Sequence, residues 1–220
     1  MAFHSNALTL LRSKSPKSAL ANKFWTRLDQ TQEMSADQAI LIYTGAAKRL
    51  GRAVITWTDL EKNVLEKELG QLDPNETLCQ IVRIALVINF PNKDFINEIL
   101  RRGDDYEKAA VLKTLSSIDP KGEFCDLAVD SCRTNSSIVF SAIAQRNSYP
   151  AQFFPDNQIT HLALKTIFMD LDFSQIDGLN NRACDSLKIA LVDLYEERLA
   201  AGRSLPEETI KFMRENSFIS

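Results

Sequence analysis

Eight polar side chains in the second half of this chain have the types and spacing to hold an anionic molecule. Arg133, Thr134 and Asn135 form a polar step between two apolar helical runs. A guanidinium beside the free N–H groups of a helix start suits a phosphate or a carboxylate. The same residues have a structural use. Thr134 or Asn135 can cap a helix that begins at Ser136, and Arg133 can pair with Asp130, three residues earlier. Asn147 and Tyr149 close that helix, and Pro150 is expected to hold Tyr149 extended and stop the helix. Tyr149, Phe153 and Phe154 can line an apolar groove with a polar tip, or fill a core. Lys165 stands in an apolar run over 162–168, with His161 four residues before it on one helix face. Two cations on one face favour an anionic ligand. A lysine reaching out to water and an ordinary histidine fit the pattern equally well. Arg182 follows Gly178-Leu179-Asn180-Asn181 and either clamps neighbouring loops or holds a ligand.

Catalytic signatures are scarce. There is no nucleophile elbow, Gly-rich phosphate loop, HExxH or dense carboxylate pair; Asp126 with Asp130 and Asp170 with Asp172 are the loose exceptions. Cys79, Cys125, Cys132 and Cys184 contain no CxxC pair, and two histidines, His4 and His161, are available beside them. That spacing does not suit a structural zinc, so no metal and no cofactor is expected. Cys125 and Cys132 are seven apart, share a helix face and are expected to be buried. Four scattered thiols suit a reducing compartment.

The elements that must position these side chains are helices. Leu187, Ala190, Leu191, Leu194 and Tyr195 recur every three to four residues, between a cap at Asp185 and a stop at Gly202. Phe95, Ile96, Ile99 and Leu100 make another helix, as do Tyr106, Ala109, Ala110, Leu112 and Leu115. Thr58 with Glu61 reads as a capping box. The stretch 78–90 is apolar nearly all round, so it is a central helix despite Arg83 within it. Val54 to Trp57 has strand propensity but is too short and isolated to count. About ten helices follow, in pairs near 93–103 with 105–117, 122–133 with 135–147, and 157–170 with 182–201. The expected fold is all-α, a compact array or short superhelical stack of antiparallel helix pairs. Residues 1–35 read as an N-terminal helical arm and 36–220 as the main domain, with a linker near Gln30 to Asp37.

A net charge of -3 gives no reason to expect nucleic acid as a partner. No apolar run approaches the ~20 residues that span a bilayer. The N-terminus lacks the apolar core of a signal peptide, and a cytoplasmic location is expected.

Several blocks taken together resemble the EboA-domain family, over residues of about 40 to 215. The core is Arg133-Thr134-Asn135, an apolar helix, then Asn147-Ser148-Tyr149-Pro150-Ala151. Upstream lie 46–52 and 78–85, the latter with its embedded Arg83. Downstream come 164–168, Gly178-Leu179-Asn180-Asn181-Arg182-Ala183 and 197–203. The chain departs from the family pattern at Ile159 and His161, at Cys184-Asp185, and at Glu196, where a histidine is common. Any catalytic role of that histidine would be lost here.

The resemblance implies a product of a small gene cluster for secondary metabolism. Such clusters are proposed to move a precursor toward the periplasm. Expected partners are the other cluster products, a membrane prenyltransferase among them, and a small anionic or aromatic metabolite. A peripheral position at the inner membrane would fit that company. The first reading is a non-catalytic adaptor or metabolite-handling protein. The alternatives are a cryptic lyase, transferase or isomerase using Arg133, Lys165 and His161, and a helical protein-interaction module.

Overall fold

The computed structural model describes residues 5–29 and 34–220. Among them there are helices and no strand; Val54 and Thr77 form one isolated bridge. The all-α expectation therefore holds, with more and shorter helices than expected. The chain divides between Pro120 and Lys121 into two units.

In the first unit, α1 (Asn6–Lys14) packs on α5 (Asp59–Leu69) and α6 (Leu78–Asn89), and α2 (Ala19–Asp29) packs on α4 (Ala46–Leu50). The expected linker at Gln30 to Asp37 lies partly outside the described residues. Its end is already the start of α3 (Ala36–Thr44), where Ser35 and Gln38 form a capping box. The capping box at Thr58 and Glu61 opens α5 as its sequence predicts. α6 is buried at every residue from Leu78 to Val87, which explains its apolar circumference. α7 (Lys93–Arg102) and α8 (Asp105–Ile118) form a packed pair, and α8 also lies along α6.

In the second unit, α9 (Cys125–Ser131) leads into α10 (Ser137–Ala144), α11 (Tyr149–Phe153) and α12 (Asp156–Phe168). Two 3₁₀ turns, Phe173–Gln175 and Leu179–Arg182, precede α13 (Asp185–Ala200), which packs on α12. α14 (Glu207–Glu215) ends the unit against the first 3₁₀ turn. α13 buries the stripe Leu187, Leu191 and Leu194. It stops as expected at Gly202, whose φ of 68° lets the Arg203 N–H reach back to Arg198 O at 2.8 Å.

Three local expectations are corrected. The residue capping α13 is Cys184, one before Asp185, and it makes no side-chain cap bond. Tyr149 is helical, because Pro150 falls in the first turn of α11, where a missing N–H costs nothing. The cysteines are free thiols, but only Cys79 is fully buried; Cys125, Cys132 and Cys184 are half-buried.

Candidate functional site

The polar step between α9 and α10 is a helix junction. Ser136, and neither Thr134 nor Asn135, caps α10, its hydroxyl accepting from Val139 N. Thr134 Oγ1 instead accepts from Ser136 N at 3.0 Å and shapes the turn before the cap. Asn135 is exposed. Arg133 lies at the surface, 3.4 Å from Asp130 Oδ1, the pairing its spacing allowed. An exposed pair of this kind contributes little to stability.

Lys165 of α12 donates to Cys132 O at 2.6 Å and to Thr134 O at 2.5 Å, with its ammonium 5.0 Å from the centre of the Phe140 ring. It neutralises carbonyls left open where α9 ends. The structure thus brings Lys165 to the Arg133 step, but its donors face backbone. His161, one turn earlier, is exposed. Burial pushes the Cys132 thiol up to about 12, against the pull of Lys165.

Asn147 is buried and links two helices. Its amide donates to Ala142 O at 3.0 Å, and its Oδ1 accepts from Tyr149 N at 3.1 Å. Tyr149 is fully buried, with its ring 4.8 Å from that of Phe153. Arg182 is a clamp. Its guanidinium donates to Ala151 O, Phe154 O and Asp156 Oδ1, each at 2.7 Å. Between the loop and ligand readings of Arg182, these bonds are the loop reading.

The Arg182 clamp ends the turn that walls a groove no single motif announced. The groove has a volume of about 720 Å³ and lies between the 173–181 segment and α14. Its floor is apolar: Phe173, Ile176, Leu179 and Phe212 are all buried, and the Phe173 and Phe212 rings meet edge to face at 5.4 Å. Its rim carries Asp177, Asn180, Asn181, Glu208 and Glu215, with Lys211 as the cation, 3.8 Å from Glu215. The rim is therefore rich in acceptors. Partial burial raises the Asp177 carboxyl above its usual value, and the Arg146 guanidinium pulls it back.

The wall is fastened at three points. Arg146, at a φ of 50°, donates through its backbone N and its Nε to the Gln175 backbone and side-chain oxygens, each at 2.7 Å. Gly178, at a φ of 73°, has no room for a side chain; a Cβ there would stand 2.7 Å from Ala151 Cβ. Asn216 donates to Asn180 Oδ1 at 3.2 Å, tying α14 to the loop. The sequence blocks around 145–151 and 178–183 therefore meet in space. Only their loop glycine and embedded arginine hinted at it.

The core of the first unit holds a polar cluster that no motif in the sequence marks. Arg83 is 1 % exposed. It donates to Glu107 Oε1 at 2.9 Å, Gln80 Oε1 at 3.2 Å and Tyr43 O at 3.2 Å. Tyr43 donates its hydroxyl to Glu107 O at 2.6 Å, and burial holds that hydroxyl well above its ordinary range. Glu107 also closes the α8 capping box with Asp104. Every strong donor here meets an acceptor, so the cluster orients α3, α6 and α8. An arginine inside an otherwise apolar helix was its one visible signal.

Among the described residues, no three His, Cys, Asp or Glu side chains converge as a metal site would need. No helix among them is long and apolar enough to cross a membrane. A family model described as "Metabolite traffic protein EboA" matches residues 10–214. No curated protein and no solved structure matches significantly.

Proposed function

Because the chain belongs to the EboA family, we propose that it is a non-catalytic metabolite-handling protein. It holds a small precursor in the groove of the second unit and passes it toward the periplasm with the other products of its gene cluster. The observation that carries this reading is the groove itself. Its volume falls in the range of small-molecule sites, roughly 300–1,000 Å³. Its acceptor-rich rim, over a base of buried apolar side chains, suits a small molecule bearing hydroxyl or amine donors.

The fastening of the wall supports binding without chemistry. Arg146 spends its bonds on Gln175, and Arg182 on two backbone carbonyls and the Asp156 carboxylate, which preorganises a receptor rather than offering an acid or base to a substrate. The anionic ligand expected beside Arg133 loses Lys165 as a free cation.

Deleting the gene and measuring pathway metabolites in cytoplasm and periplasm tests the proposal. Complementation uses the wild type and Asn181→Trp, which fills the groove from an exposed position. A finished precursor stranded in the cytoplasm, rescued by the wild type alone, is the expected result. Accumulation of an unconverted earlier intermediate would overturn it and point to catalysis.

A further inference from the structure

The groove of the second unit carries an unbalanced charge. Among the described residues, three carboxylates line it, Asp177, Glu208 and Glu215, against one lysine, Lys211. Lys211 stands three residues after Glu208 and four before Glu215, so either is within its reach on α14. Its ammonium goes to Glu215, at 3.8 Å, and leaves Glu208 without a cation. Neither Asp177 nor Glu208 makes a side-chain hydrogen bond or ion pair among the described residues.

Helix stability does not account for Glu208. A carboxylate in the first turn of α14 complements the helix dipole, and Glu207 already supplies one there. Glu208 differs from Glu207 in lining the groove, on the same helix face as Lys211, Phe212 and Glu215. Asp177 stands on the other wall, beside Gly178 and the segment that Arg146 fastens at Gln175. Burial raises its carboxyl, and the Arg146 guanidinium, already bonded to Gln175, offsets that only in part. A closer cation than the fold supplies would therefore favour the charged form of Asp177.

We propose that the groove takes a ligand bearing a protonated amine and rejects carboxylated and phosphorylated ones. An ammonium finds carboxylate acceptors on both walls, and charge-assisted hydrogen bonds of this kind are the strong ones. Phe173 and Phe212 belong to the same lining, and aromatic rings attract a cation. Asn180 Oδ1 is engaged by Asn216, which leaves the Asn180 amide as a donor for a ligand oxygen. An anion meets the two unpaired carboxylates instead, and such repulsion is how a site excludes the wrong ligand. This specificity rests on the groove being the ligand site. It adds the charge class of the ligand, opposite to the anion that the Arg133 step suggested.

The test uses the full chain and size-matched probes: phenethylamine, phenethyl alcohol and hydrocinnamate, with their cyclohexyl counterparts. Saturation-transfer NMR detects binding, and titration ranks it. Asn181→Trp identifies binding in the groove, and Asp193→Asn, outside the lining, controls for a lost carboxylate. The amines are expected to bind in the groove about tenfold or more tightly than the alcohols and carboxylates. Glu208→Lys should weaken the amines by a similar factor and admit the carboxylates, a gain that unfolding cannot produce. Asp193→Asn should change neither. Alcohols or carboxylates that bind as tightly as the amines, and are lost in Asn181→Trp, overturn the charge class while the groove stands as the ligand site. Absence of groove binding by every probe overturns both. Equal loss of amine binding in Asp193→Asn overturns the proposal by reducing it to general acidity.

Discussion

Arg146 and Gln175 are joined twice, backbone to backbone and side chain to side chain, at 2.7 Å each. Through this pair the end of α10 holds the first wall of the groove. Arg146→Ala removes the side-chain bond, costs about 1 kcal/mol, and quickens amide exchange over 173–181 without quickening it in α12. Arg146→Gly loses the same bond but relieves the positive φ. It should be more stable than the alanine variant by about 1 kcal/mol. Equal stability of the two variants would show that the backbone there is unstrained.

Lys165 serves the Cys132 and Thr134 carbonyls, so Lys165→Met leaves both short of a donor. The expected loss is about 1–3 kcal/mol in chemical denaturation. Unchanged stability would return Lys165 to the pool of ligand-binding cations.

Arg83→Met leaves Glu107 buried without its cation. Breaking such a pair costs about 3–5 kcal/mol. In a double-mutant cycle with Glu107→Gln, the two losses should fall well short of additive. Additive losses would mean that the contact carries no coupling.

Cys132 gives a pH signature. Its thiol rises from 9.0 to about 12 in the folded chain, mainly through burial. The unfolded chain therefore releases this proton first as pH rises. The contribution is fully present below pH 9 and is lost as pH climbs toward 12. Relative to Cys132→Ala, the wild type should lose on the order of 1 kcal/mol per pH unit in that window. Parallel unfolding midpoints at about pH 8 and about pH 10 would contradict this.

The helices were legible because their signals are local. A Thr58–Glu61 box or a Leu187–Leu191–Leu194 stripe involves residues one to two turns apart. The caps at Ser136 and Cys184 were missed by one or two residues, since neighbouring Ser, Thr, Asn, Asp and Cys compete for the same geometry. Arg133 with Asp130 was readable at a spacing of three. Arg146 with Gln175, Arg182 with Ala151, and Asn216 with Asn180 were not, because their spacings of 29, 31 and 36 residues leave no periodic trace. The groove exists only once those pairs close. The family blocks marked its parts without saying that they meet.

The most direct test of the central claim is native mass spectrometry of the protein purified from cells that carry the gene cluster, beside Asn181→Trp prepared in the same way. One small molecule is expected to be released unaltered from the wild type and to be absent from the groove-filled variant. A molecule retained by that variant, or one chemically converted while bound, would contradict it.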